Sequence, residues 1–535
     1  MSILSIRFAV FVLASFFVYF LTPKKYQWIS LLVISLVFYL FAGLLAVVFI
    51  LLTATSTFFA GLYLGKVNDE FDVAVQNYSG PNPKMTREEK KELKADEDRR
   101  KKRVLVLVLV LNFGILIVLK YFRPLASMLT AVCSLVGLHY DIGIKSVLVP
   151  LGISYYTFQA MGYLIDLNRR KYAPERNYGH FLLFISFFPQ LIQGPVSRYD
   201  ELMPQLTAPH PYDYTRVKHG IELFAWGLFK KLVISDRIAI MVTTIFASPE
   251  TYGGAYLLVG TVLSTFRLYT DFAGGIDMTR GVAEAFGVIM PENFTRPFFS
   301  INLAEYWRRW HITMNTWWRD YIFYPMTLSK SFQSVGKKTK NVLGANFSKK
   351  LPILMAVIVI RLINAIWHGF SGPDVVGGLY HGLLLAISFY FEQHFARLTE
   401  KLRIKTDCLS WRLFQYTRTF VLVAAPKIVT SAGSLKRGAY CIKSLFTTFN
   451  PWVLFDGSLS QLGVSLPQLR VVSLGFLALL VVSTLQEKGY CVRDELDKQN
   501  VVFRGLIYVV FLFAIVLFGV YGSGYDAGAF IYQMI

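Results

Sequence analysis

Charged side chains are scarce in this chain. Asp, Glu, Lys and Arg make up 17% of its 535 residues, against ~25% in a soluble domain. The scarcity is uneven, because residues 66–103 alone hold 11 basic and 9 acidic side chains. Hydrophobic residues reach 54% and the mean hydropathy is +0.45. A soluble core that apolar has too little polar surface to cover it, so the chain reads as an integral membrane protein. Cysteine is also sparse: Cys133, Cys408, Cys441 and Cys491 lie far apart with no CxxC pair. That excludes a disulfide framework and a zinc site, and no metal is expected. Phosphate-loop, dinucleotide, HExxH and GxSxG motifs are absent. The net charge of +21 invites a nucleic-acid reading. Its basic residues instead cluster at the ends of apolar runs, as topology signals and anionic headgroups require, so no nucleic-acid partner is expected.

Apolar runs are plentiful. About 20 residues span a ~30 Å hydrocarbon layer. Residues 26–65 carry no charge, which is room for two spans with a turn near Ala42-Gly43. Further uncharged runs cover 8–23, 104–119, 146–165, 375–391, 471–486 and 505–525. Weaker candidates lie at 124–140, 178–195, 217–234, 251–270, 351–367 and 412–425, giving about 11–13 membrane segments, some re-entrant. These runs lack the alternation of barrel strands, so the expected fold is all-α and polytopic. The first run has no cleavage signal and is read as a retained helix.

Two spans within 26–65 put Lys24-Lys25 and the 66–103 loop on one side. Arg99–Arg103 flank the next span, and basic flanks stay cytoplasmic, so the loop is expected in the cytoplasm and the N-terminus outside. Residues 86–103 are dense in i,i+4 opposite charges and read as a solvated helix, or as a docking site for a partner. A second basic stretch at 325–350 reads as another cytoplasmic loop. The chain then divides into N-terminal transmembrane helices (1–65), the charged cytoplasmic loop (66–103), a core (104–400) and C-terminal transmembrane helices (401–535).

Polar residues inside membrane segments are costly and mark function. The densest cluster spans Glu305–Tyr321. On one continuous helix, Trp307, His311, Asn315 and Trp318 share a face. An interfacial aromatic belt with snorkelling Arg308, Arg309 and Arg319 explains the tryptophans equally well, but not His311 and Asn315. A second feature, Asn364-Ala-Ile-Trp-His-Gly369, ends the run 351–363. A histidine's ordinary pKa of about 6.5 suits a base acting on a hydroxyl. His381 reads as structural.

These residues also follow one another in an order that resembles the membrane-bound O-acyltransferase family, in its bacterial cell-surface polysaccharide branch. The ordered set comprises Pro150–Gln159, Tyr163–Asp166, Phe188–Tyr199, Gly227–Lys231, Tyr269–Gly274, Asn293-Phe294, the Trp307–Tyr321 cluster and Trp367-His-Gly369. Residues before 145 match only in hydropathy, and those after 400 mainly at Phe530-Ile-Tyr532. The resemblance implies a ring of helices around a central tunnel, with 104–400 as the catalytic core and short segments such as 275–290 re-entrant. It implies catalytic His368 and a second hallmark histidine, His311. Trp307, Trp310, Asn315, Trp318 and Trp367 would line the substrate site and exclude water.

The implied chemistry is acyl transfer from a cytoplasmic thioester, acetyl-CoA or an acyl carrier protein, with no tightly bound cofactor. The acceptor would be a hydroxyl of a cell-envelope polysaccharide, a teichoic acid or an exported acyl-shuttle protein, beside an extracytoplasmic acyltransferase partner and membrane lipids in the bacterial plasma membrane. Acetyl and D-alanyl transfer both fit. The length beyond Trp367-His-Gly369 and the terminus Phe518–Tyr532 favour acetyl, whereas Ile366–Gly369 and Gly378–His381 resemble D-alanylation proteins. A glycan-lipid flippase, with the histidines coupling protons, and an assembly scaffold are the readings from other classes.

Overall fold

The computed structural model describes residues 1–77, 86–135, 150–521 and Phe530. Ser79, parts of the runs at 124–140, 146–165 and 505–525, and the terminal motif apart from Phe518–Tyr521 and Phe530 lie outside them. Among the described residues the chain is helical with no strand. Its β-pairing there is an isolated bridge between Phe294 and Trp310. Six helices among the described residues are long and apolar enough to cross a membrane, and Ile6–Leu21 is a shorter apolar helix. The chain is therefore a multi-pass membrane protein, divided into two compact units: 1–220 with 282–291, and 221–281 with 292–535.

The first unit contains α1 (Ile6–Leu21), α2 (Gln27–Leu40), α3 (Leu44–Asn77), α4 (Arg87–Leu135), α5 (Ile153–Asn168), α6 (Tyr178–Ser186), α7 (Phe188–Gln193) and α8 (Tyr199–Thr207). The turn in the uncharged run 26–65 falls at Phe41–Gly43 as expected. The charged interval 66–103 is not a loop, because α3 runs through it to Asn77 and α4 enters at Arg87. Nor is its second helix simply solvated. Glu97 and Lys101 are each 3% exposed, and Glu97 takes Lys94 at 2.8 Å, Lys101 at 3.1 Å and Arg170 at 2.9 Å. Arg170 also reaches Asp72 at 2.6 Å, so this charge network ties the ends of three helices together. α5 is buried along nearly its whole length. Its start requires glycine: Gly152 has φ of 72°, and a Cβ there would lie 2.6 Å from the Leu191 carbonyl oxygen.

The second unit begins within α9 (Tyr214–Leu228). It continues through a π-helical stretch, Phe229–Ser235, α10 (Asp236–Ala247) and α11 (Ala255–Ala285). Residues 275–285 are the last turns of α11, not a separate re-entrant segment, because nothing in them breaks the helix before Ala285. Gly227 and Gly274 let α9 and α11 touch backbone to backbone; a Cβ on Gly227 would sit 2.5 Å from the Gly274 oxygen. Extra residues in a π-turn shift the side-chain register, and here both Lys230 and Lys231 are buried. Lys231 pairs with Asp271 at 2.6 Å and Asp236 at 2.8 Å, and Lys230 pairs with Asp277. Two motifs distant in sequence thus turn out to be the halves of one buried charge cluster.

Beyond it come α12 (Leu303–Arg309), α13 (Ile312–Trp318), a second π-helical stretch (Arg319–Phe323), α14 (Tyr324–Leu328), α15 (Lys330–Lys338), α16 (Lys340–Leu343), α17 (Ala345–His368) and α18 (Gly372–Lys401). The expected basic loop at 325–350 is therefore helical, with Ser329 capping α15 through the Phe332 amide. α19 (Leu409–Ala424), α20 (Lys427–Ser431), α21 (Leu435–Thr447), α22 (Leu466–Glu487), α23 (Val492–Asp497) and α24 (Val501–Phe518) complete the chain.

Candidate active site

Residues 305–321 do not form one helix. α12 stops at Arg309, Trp310 is extended, and His311 adopts φ of 47° and ψ of 52°, a left-handed conformation rare outside glycine. The expected face shared by Trp307, His311, Asn315 and Trp318 is therefore broken at its second member. The cause is tertiary. Asn293 is 1% exposed, its carbonyl accepts from the Ile312 amide at 3.0 Å, and the Thr295 amide donates to the Arg309 carbonyl at 3.0 Å. The Asn293 Oδ1 accepts from the Thr313 amide at 3.0 Å and the Thr313 hydroxyl at 2.9 Å. Those two donors fix which end of the Asn293 amide is oxygen.

That oxygen faces His311 Nδ1 at 3.4 Å, so the neutral imidazole carries its proton on Nδ1 and Nε2 is the basic nitrogen. The ring is 3% exposed and packs edge-on against Phe272 at 4.9 Å.

Arg309 and Arg296, which also has a positive φ of 51°, flank this turn from both segments. Both are held by Glu487 at the end of α22. Arg309 donates to its two oxygens at 2.9 and 3.0 Å, and Arg296 donates at 2.7 Å. Glu305 takes Arg309 at 2.6 Å.

α17 supplies the opposite wall. Arg361, Asn364 and His368 recur at i, i+3 and i+7, which is one helical face. Arg361 Nη2 donates to Asn315 Oδ1 at 3.3 Å, Asn364 Oδ1 accepts from Trp318 Nε1 at 3.2 Å, and the His368 ring lies 6.3 Å from that of His311. Trp367 is buried beside them, 6.1 Å from His311. His368 is half-buried, so one histidine is enclosed and the other partly exposed. α17 ends there because Gly369 makes room for the next cap. A Cβ on it would lie 2.5 Å from Asp374 Oδ2, and Ser371 caps α18 through the Asp374 amide.

The structure thus brings His311, His368 and Trp367 together, with Trp318 joined to Asn364 one turn before His368. Trp310 is packed away from them against Tyr306 and Phe294. Asn315 spends its amide hydrogens on the Trp307 and Trp310 carbonyls, at 3.0 and 2.6 Å, bracing the broken helix. Trp307 lies beneath Arg361 and against the His381 ring. Arg319 pairs with Asp320 at 2.9 Å. Among the described residues no cluster of His, Cys, Asp and Glu has the form of a metal site. Sequence reasoning passed over Arg361 and Glu487. The first carried a signal, a lone charge inside an apolar run; the second carried none.

The family model described as MBOAT, membrane-bound O-acyltransferase family, matches residues 175–344, a stretch that contains Asn293 and His311 and ends before His368. A probable alginate O-acetylase, AlgI, of Pseudomonas syringae pv. tomato is 30% identical over 70% of this chain and 67% of its own. A peptidoglycan O-acetyltransferase of Helicobacter pylori is 30% identical over 45% of this chain and 47% of its own. A teichoic acid D-alanyltransferase of Streptococcus thermophilus is 28% identical over 46% of this chain and 58% of its own.

Proposed function

This chain belongs to the membrane-bound O-acyltransferase family, and we propose that it moves an acetyl group from a cytoplasmic thioester to a hydroxyl of a cell-envelope polysaccharide or of an exported acyl-shuttle protein. The observation that carries the reading is the pairing of a buried His311 with a half-buried His368 across 6.3 Å.

In this reading His368 takes the proton of the acceptor hydroxyl as its oxygen attacks the thioester carbonyl. The carbon–sulfur bond breaks, the ester forms, and the proton passes from His368 to the departing thiolate. With Nδ1 turned to Asn293, neutral His311 offers a lone pair rather than a proton. It is therefore suited to a proton relay and not to polarising the carbonyl. Trp318 and Trp367 would exclude the water that hydrolyses thioesters. The donor is a co-substrate, acetyl-CoA or an acetyl-loaded carrier protein, and an extracytoplasmic acyltransferase would accept the product where the acceptor is a shuttle.

The acetyl assignment is tested by supplying membranes with labelled acetyl donor and, separately, with D-alanyl-loaded carrier protein. Label is expected in the glycan from the acetyl donor; label entering only from the D-alanyl carrier would refute it.

The reading puts the chain in the bacterial plasma membrane, and the basic flank Arg99–Arg103 supports an N-terminus on the outside. A cysteine introduced at Ser79, in a chain stripped of its four native cysteines, should resist an impermeant thiol reagent in intact cells. Labelling from outside would reverse the orientation and the side from which the donor enters.

A further inference from the structure

Arg361 sits within a spanning helix, and among the described residues no carboxylate pairs with it. Its guanidinium lies 4.1 Å above the Trp307 ring, and Nη2 makes a single 3.3 Å hydrogen bond to Asn315. Arg361 Nη1 and Trp307 Nε1 are buried and meet no acceptor among the described residues; the same holds for Nδ1 of His381, whose ring packs 5.2 Å from that of Trp307. Leaving such groups unsatisfied in a dry site is costly. Arginine and indole nitrogens only donate, so a ligand that satisfies these groups must bring oxygen acceptors.

The position of these donors restricts the ligand. Arg361 precedes His368 by seven residues on the same face of α17, about 10 Å along the axis at 1.5 Å per residue. It lies toward the helix end flanked by Lys349 and Lys350, the side assigned to the donor. Coenzyme A and carrier proteins share a pantetheine arm. From its sulfur, eight bonds lead to the carbon of the second amide carbonyl, about 9 Å in an extended chain. The first amide falls short of Arg361, and the phosphate overshoots it.

We propose that Arg361, with Trp307 and His381, holds the distal amide carbonyl of the donor's pantetheine arm while the thioester lies at His368. The assignment rests on the acyl-transfer reading above.

The test is equilibrium binding to the purified full-length protein in detergent, with two probes. S-acetylpantetheine has both amides; S-acetyl-N-acetylcysteamine keeps the thioester and the first amide only. The wild type should bind the pantetheine compound about 10–100-fold more tightly, the range for a hydrogen bond to a charged group. Arg361→Met should bring the two probes to within about 3-fold. Trp307→Phe keeps an aromatic face beneath Arg361 but loses the N–H, and should give an intermediate loss; it carries the test if the arginine variant does not fold. Equal binding of both probes by the wild type, or an undiminished preference in the variants, would overturn the proposal. Acetyl-coenzyme A and an acetyl-loaded carrier protein are then titrated against Arg361→Met. The donor whose affinity falls is the source of the arm, and a fall in neither also overturns the proposal. Acyl transfer by the wild type is assayed in parallel. A pantetheine preference without transfer would sink the acyltransferase reading and leave the subsite standing.

Discussion

His368→Ala lowers ester formation by about 10²–10⁴-fold, the range that a positioned general base supplies, while the protein stays folded. The side chain is half-buried at the last turn of α17, so its removal opens no large cavity. The neighbouring contacts that shape the site, Asn364 with Trp318 and Arg361 with Asn315, do not pass through it. Purified variant and wild type would be compared for labelled acetyl incorporation into acceptor, with size-exclusion profile and thermal midpoint as controls for folding. Turnover within about 3-fold of wild type in a well-folded variant would remove His368 from the proton-transfer step.

Lys231→Met acts on folding rather than on chemistry, and its cost is expected to reach about 3–5 kcal/mol, the usual penalty for removing one partner of a buried ion pair. Lys231 is 1% exposed and bridges Asp271, itself 2% exposed, and Asp236. Methionine would fill the volume but strand two carboxylates between α10 and α11. Thermal unfolding in detergent should show a large drop in midpoint and a poor yield of monodisperse protein. Adding Asp271→Leu should recover part of the loss, because the second substitution removes a stranded charge. A single variant as stable as wild type would show that the carboxylates find other partners or protonate without penalty.

The all-α architecture and the turn near Gly43 were legible because uncharged runs of the right length have few alternatives in a bilayer. The residues that build the site were legible unevenly. His368 and Trp367 stand at the end of an apolar run, where helix periodicity places them without outside help. Arg361 obeys the same periodicity and is visible as one charge among aliphatic neighbours. His311 is different. Its sequence neighbourhood is that of an uninterrupted helix, and the break comes from Asn293, 18 residues earlier, which binds the backbone on the far side of the turn. The buried lysines fail for a related reason. Lys230-Lys231 reads as a flanking basic pair until the π-turn carries both inward to acids some 40 residues later.

The Glu487 clamp has a consequence for biosynthesis. Arg309 and Arg296 precede their shared carboxylate by 178 and 191 residues. At about 5–20 residues per second, a ribosome takes about 10–40 s to add that length of chain. Throughout that interval the nascent protein carries the His311 turn without the anchor that draws its two arginines together. The turn is therefore completed late, when the end of α22 emerges, and a chain truncated ahead of Glu487 would hold every residue of the histidine pair yet leave their scaffold unfastened.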